Sequence, residues 1–238
     1  MLKRFFQFLI LLTILTLIMV SVATETWPRL LKFYLQSGIG DCQKIPVFCK
    51  TPDIEIKNPA INKEFLSLLI PYKFKDMQIS LPRRFSVVNG VEKRYYYKKW
   101  KSHDKGCIVY INRSPAGFFT GLFPDTKKQG IKTNFNFIEK TMFANLNNIK
   151  DIRSAFFMVM KGILVPDLGD QKKAKMVYFE MPGKKGFINY NLNSTWLYFD
   201  CNIFDQADNY FKVYIKDKDP SLDLDKVLSI ISSVEAVN

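Results

Sequence analysis

The sequence predicts an α+β protein: an N-terminal transmembrane helix, then a mostly antiparallel sheet packed by helices. Three observations carry this reading. Lys3-Arg4 precede an apolar run, Phe5–Ala23, that contains no charge. Apolar residues alternate with period two through most of the last third of the chain. Between residues 134 and 164 they recur instead at spacings of three and four, the mark of amphipathic helices.

As a helix rising about 1.5 Å per residue, Phe5–Ala23 spans roughly 28 Å, close to the roughly 30 Å hydrocarbon core of a bilayer. The basic pair before it keeps the N-terminus cytoplasmic and sends the rest of the chain outside. Ser21-Val22-Ala23 also fits a signal-peptide cleavage site, so anchor and cleaved signal both remain open. The anchor is favoured because the run is long for a signal and is followed by Trp27, Arg29 and Lys32, as interfacial anchors would be. A buried soluble helix is the third alternative. The division is 1–23 as anchor or signal, 24–72 as a juxtamembrane connector with short helices, and 73–238 as an extracytoplasmic α+β domain.

Within the connector, Trp27–Gln36 continues as a short helix and Gly38-Ile39-Gly40-Asp41 ends it. Asn58-Pro59 reads as an N-cap with proline at the first helical position. Ile61, Phe65, Leu68 and Leu69 form that helix's apolar face, and Pro71 stops it. Met77–Val88 reads as one strand leading into an Asn89-Gly90 hairpin turn. Arg94–Lys101 and Cys107–Asn112 form the next pair of strands. Helices follow over Asn134–Asn145 and from Ile149 to Ile163, ended by Pro166-Asp167-Leu168-Gly169.

The C-terminal third alternates throughout. Val177, Phe179 and Met181 share a face, as do Ile188, Tyr190 and Leu192 on the return strand. Leu197, Phe199, Cys201 and Ile203 continue the face, then Phe211, Val213 and Ile215, with Lys212, Tyr214 and Lys216 opposite. This predicts an antiparallel sheet of six to eight strands with one covered face. A closing helix of Leu224, Val227, Leu228, Ile231 and Val234 packs on that face, with Asp223 and Asp225 at its start.

The segments YFDCNIFDQADNYFKVYIKDKD (198–219) and LDLDKVLSIISSV (222–234) resemble the last strands and final helix of Mog1/PsbP-like domains. That resemblance implies an α-β-α sandwich acting as an accessory or binding subunit rather than as an enzyme. It carries no functional residue onto a position here, and the paired helices of Asn134–Leu164 depart from its pattern.

The net charge of +13 is high. Outside the cytoplasm it points to anionic lipid head groups, envelope polymers or acidic proteins, and not to nucleic acid. Four cysteines in an oxidising compartment suggest disulfides. Cys42 and Cys49 are the favoured pair, and closing that short loop contributes roughly 2.5 kcal/mol in the chain-entropy picture. A Cys107–Cys201 bridge rests on parity alone; a small buried free thiol at Cys201 is favoured over it.

Catalytic signals are weak. His103, the lone histidine, lies in a charged turn, and a triad built on it is disfavoured. The acids Asp217, Asp219, Asp223 and Asp225 lack the glycine and glutamate of a calcium loop, and read as turn and helix-start residues. No metal, cofactor or catalytic residue is assigned, and the chain is expected not to be an enzyme. The sharpest positive feature is Lys93, Arg94, Tyr97, Lys98, Lys99, Trp100 and Lys101, where basic residues interleave with aromatics as an anionic partner requires. The bland alternative is an edge strand protected by lysines. The expected function is therefore a membrane-anchored envelope binding or accessory protein, held through residues 5–23 and engaging a membrane protein complex or an anionic envelope component. Its rivals are an extracytoplasmic hydrolase using carboxylates or a Ser/Lys pair, and a hydrophobic-ligand carrier.

Overall fold

The computed structural model describes residues 29–30, 32–33, 35–37, 42–43, 46–74, 76–83, 85–87, 97–102, 108–219 and 221–237. The apolar run 5–23, Trp27, the expected turns at 38–41 and 89–90, Lys93, Arg94, His103 and Cys107 lie outside them. Among the described residues no helix is long and apolar enough to cross a membrane.

In chain order the elements are β1 (Ile54–Lys57), α1 (Lys63–Ser67), β2 (Leu69–Phe74), β3 (Met77–Pro82), β4 (Phe85–Val87), β5 (Tyr97–Ser102), β6 (Ile108–Ser114), α2 (Phe118–Leu122), α3 (Asn134–Phe143), α4 (Ile152–Leu164), β7 (Lys175–Met181), β8 (Lys184–Asn191), β9 (Leu197–Asp205), β10 (Tyr210–Asp217), α5 (Leu224–Ser232) and β11 (Glu235–Ala236). Eight strands form one sheet in the order β1-β7-β8-β9-β10-β6-β5-β4, while β11, β3 and β2 form a second sheet. Every neighbouring pair is antiparallel except β1 with β7.

The alternation in the C-terminal third sets one face of the large sheet as expected. Val177, Phe179, Ile188, Phe199, Cys201 and Val213 are completely buried there, with α5's Val227 and Ile231 and the small sheet's Ile79 and Leu81 packed over them. The opposite face is not left to solvent, which corrects the expectation of a single covered face. Met176, Phe187, Phe204 and Tyr210 occupy the alternate positions and pack beneath α3 and α4 against Phe135, Phe137, Phe157 and Met158. Aromatics on both parities bury β9 at every residue from Leu197 to Phe204. The result is a mixed α+β body whose large sheet is covered on both faces.

Two local expectations fail for stateable reasons. Asn58 is not a helix cap; it turns out of β1 with φ +48°, a left-handed conformation that asparagine tolerates. The cap is Asn62, whose side chain accepts from the Phe65 amide at 2.8 Å. Pro71 does not stop that helix either. It sits inside β2, an outer strand of the small sheet, where its missing N–H breaks no pairing. The expected single strand Met77–Val88 is divided at Arg83: β3 serves the small sheet and β4 the large one.

The other helices start and stop on the residues that suit them. Thr133 caps α3 through the Asn136 amide, and Asp151 with Ser154 closes a capping box on α4. Asp223 caps α5, with Asp225 in its first turn. Asp217 and Asp219 accept from the amides of Asp219 and Ser221, so these acids shape the turn before α5.

Residues 46–72 do more than connect. β1 extends the large sheet, and Val47 and Phe48 are buried against α3 and α4. Cys42 and Cys49 are joined by a disulfide with a Cα–Cα distance of 5.6 Å. Cys201 is a free thiol, fully buried, so no bridge ties it to Cys107. Burial, with the nearby Asp200 charge, pushes that thiol well above its ordinary range, and it acts as a small packing residue.

Candidate functional site

The basic-aromatic sequence falls on β5, except for Lys93 and Arg94, which lie outside the described residues. β5 is not an outer strand. β6 pairs along one side of it, and β4 flanks Trp100–Ser102 on the other, so edge protection does not account for the lysine at 101. Register sets the neighbours of each of its positions. Lys98 and Trp100 pair with Ile111 and Val109, which belong to the core under α5. Tyr97, Lys99 and Lys101 pair with Asn112, Tyr110 and Ile108.

The register continues across the sheet. Asn112, Tyr110 and Ile108 stand opposite Lys212, Tyr214 and Lys216 of β10. Three rungs therefore run side by side: 97, 112 and 212; 99, 110 and 214; 101, 108 and 216. The rings of Tyr110 and Tyr214 lie 6.0 Å apart. The ammonium of Lys216 sits 4.9 Å from the Trp196 ring and 5.2 Å from the Tyr198 ring, and that of Lys218 lies 4.6 Å from Trp196. What reads in sequence as one strand pairs, in the fold, with a β6–β10 ladder that carries half-buried tyrosines and lysines. The alternation of Lys212, Tyr214 and Lys216 was visible in the sequence. Trp196 and Tyr110 were not, because only strand pairing brings them in.

Towards the centre of the sheet the same rungs become a buried polar network. Tyr214 pairs with Asp200, and Asp200 with Asn189. The Asp200 side chain is wholly buried; its Oδ1 faces the Lys212 ammonium at 2.6 Å, and its Oδ2 accepts from Asn189 at 3.0 Å. Lys212 also donates to the Leu164 carbonyl and to Asn202, whose side-chain oxygen accepts the Tyr210 hydroxyl at 2.8 Å. Burial raises the Tyr214 hydroxyl above its ordinary range, helped by the Tyr198 and Asp200 charges, so it stays neutral and donates to the Asp167 carbonyl. Lys212 thus links the end of α4 to the polar rungs of the sheet.

A second feature is an open cleft of about 370 Å³ where α3 begins, lined by Glu180, Lys184, Lys185, Asp205 and Asp208. Its aspartates are held in structural roles. Asp208 accepts from the Asn134 and Phe135 amides at 2.6 and 3.0 Å, and Asp205 accepts from the amide and side chain of Asn209. Lys185 lies 3.8 Å over the Phe135 ring. Among the described residues no group of three or more His, Cys, Asp or Glu side chains is placed to hold a metal ion.

No protein-family profile matches the chain, and no curated protein matches it in sequence.

Proposed function

We propose that this chain is a membrane-anchored extracytoplasmic protein that acts as a binding or accessory subunit. Residues 5–23 hold it in the membrane, and the β5–β6–β10 surface takes an anionic component of the cell envelope. The observation that carries the reading is the lateral register of Tyr97, Lys99 and Lys101 with Tyr110, Tyr214 and Lys216, extended by the cation–ring contacts at Trp196. Cations beside aromatic rings suit carboxylated or phosphorylated ligands, with rings for stacking and ammonium groups for charge. The layering of helices over both faces of the large sheet is in keeping with a Mog1/PsbP-like sandwich. A hydrolase has less support, because Asp205 and Asp208 are spent on backbone amides and on Asn209.

The test uses the full chain reconstituted in nanodiscs, with alginate as the acidic polymer and dextran as the neutral one. Alginate should bind in a salt-sensitive way, and the pair Lys216→Ala and Trp196→Ala should weaken it by about tenfold. Equal binding of both polymers, or no effect of the pair, overturns the surface assignment. Release of the wild-type chain from native membranes by alkaline carbonate overturns the anchor.

A further inference from the structure

Among the described residues nothing covers the outer face of α4. Ile152, Val159 and Ile163 are 63%, 40% and 69% exposed, and half-buried Phe156 completes a stripe at spacings of four, three and four. Arg153 is the only charged side chain that α4 shows to solvent, because Lys161 is wholly buried. The inner face is apolar as well, with Ala155, Phe157, Met158 and Met160 buried. A helix apolar on both sides belongs between two apolar surroundings, and the described residues supply only one of them. The stripe continues to the end of α2, where Phe123, just past it, meets Phe156 edge-to-face at 5.2 Å, and Leu122, its last residue, is 57% exposed.

At the start of the stripe lies an open cleft of about 450 Å³ between α3 and α4. Lys140, Lys150 and Arg153 line it together with Asn145 and Asn148, and the exposed Phe143 stands at its wall. Its one carboxylate, Asp151, already accepts from the Ser154 amide in the α4 cap. Three cations beside an apolar stripe match an acidic lipid, with phosphate in the cleft and acyl chains under the helix.

The chain also enters the fold here. Phe48 lies inside the disulfide loop, directly before Cys49, and a Cβ built on Gly162, the neighbour of Ile163, would lie 3.0 Å from its ring. Before the disulfide, the described residues between 29 and 37 are helical and expose Leu30 and Phe33. Fewer than twenty residues separate Ala23 from Cys42, so even a fully extended linker keeps this face within about 70 Å of the bilayer.

We propose that the α4 face, with the Lys140–Lys150–Arg153 cleft, is a second membrane contact that rests on the headgroup layer of an acidic bilayer. The proposal relies on the anchored topology above. A second copy of the chain is the poorer occupant, since it would set the same cations against each other in a molecule of net charge +13.

The test places nitroxide labels at Val159→Cys and Ile163→Cys in a Cys107→Ser background, with Lys175→Cys at the exposed start of β7 as control. The full chain is reconstituted into vesicles of phosphatidylglycerol with phosphatidylcholine, or of phosphatidylcholine alone. In the acidic vesicles, labels 159 and 163 should favour collision with oxygen over a nickel chelate, while label 175 favours the chelate. Lys150→Glu with Arg153→Glu should return both stripe labels to water. Stripe labels open to the chelate in acidic vesicles, or closed to both reagents as in a protein interface, overturn the inference. If the vesicles retain the chain after a carbonate wash, the anchor survives that result; if the chain is released, the anchored reading fails too.

Discussion

The Lys212 ammonium lies 2.6 Å from Asp200, a carboxylate with no solvent exposure in the middle of the large sheet. Nothing in an apolar layer requires a charge there. Asp200 also accepts from Asn189 and Asn202, while Lys212 reaches the Leu164 carbonyl at the end of α4. The pair therefore fastens a helix to the sheet and also borders the basic surface at Tyr214 and Lys216. A buried pair need not add net stability, but a broken one costs heavily.

Lys212→Met should therefore lower stability by about 3–5 kcal/mol, since Asp200 is left charged and buried. Adding Asp200→Asn should recover a large part of that loss. Urea midpoints of the detergent-solubilised full chain, for both single variants and the double, measure the coupling. A single-variant loss no larger than that of an exposed lysine would show that Asp200 is not held by this contact.

The sheet face built from Val177, Phe179, Ile188, Phe199 and Val213 was legible in the sequence because pairing with a neighbour does not alter period two. The second covered face was harder to see. Phe187, Phe204 and Tyr210 are polar-parity positions that turn out to be aromatic, and only the return of α3 and α4 over them explains why. The β5 lysines were visible as a run, but their neighbours Tyr110, Tyr214 and Lys216 come from strands as much as 119 positions away and join by a crossover that no local pattern encodes. Likewise Pro71 breaks a helix in isolation, yet in this fold the outer position of β2 makes it harmless.

Gly186 has a requirement of another kind. A Cβ at this position would stand 1.9 Å from the Asn202 carbonyl oxygen, on the neighbouring strand β9. Backbone cannot yield as a flexible side chain does, so β8 and β9 would have to separate. Gly186→Ala should cost more than about 3 kcal/mol or prevent folding. Gly121→Ala, in α2 with nothing within 4 Å of the added methyl, should be neutral or slightly stabilising. Thermal unfolding of both variants makes the comparison, and equal melting temperatures would contradict the close approach.

Lys161 sets the pH dependence to look for. Its ammonium is buried and donates to the carbonyls of Lys50, Met142 and Ala144 at 2.5, 2.8 and 2.8 Å, joining α4 to the end of α3 and to the segment after the disulfide. Burial lowers its pKa from the ordinary 10.5 to about 7. Below pH 7 the folded and unfolded chains both carry the proton, and the folded state bears the full desolvation cost. Between pH 7 and 10.5 the unfolded chain holds the proton more firmly, so stability rises with pH through this window. The three carbonyls favour the ammonium and temper the gain, to about 1–2 kcal/mol between pH 7 and 9. Lys161→Met removes the titrating group and strands three carbonyls, so it should be less stable at neutral pH and lack that part of the slope. Urea titrations at several pH values, taken as the difference between wild type and Lys161→Met, isolate the effect; parallel pH profiles would show that Lys161 keeps its charge throughout.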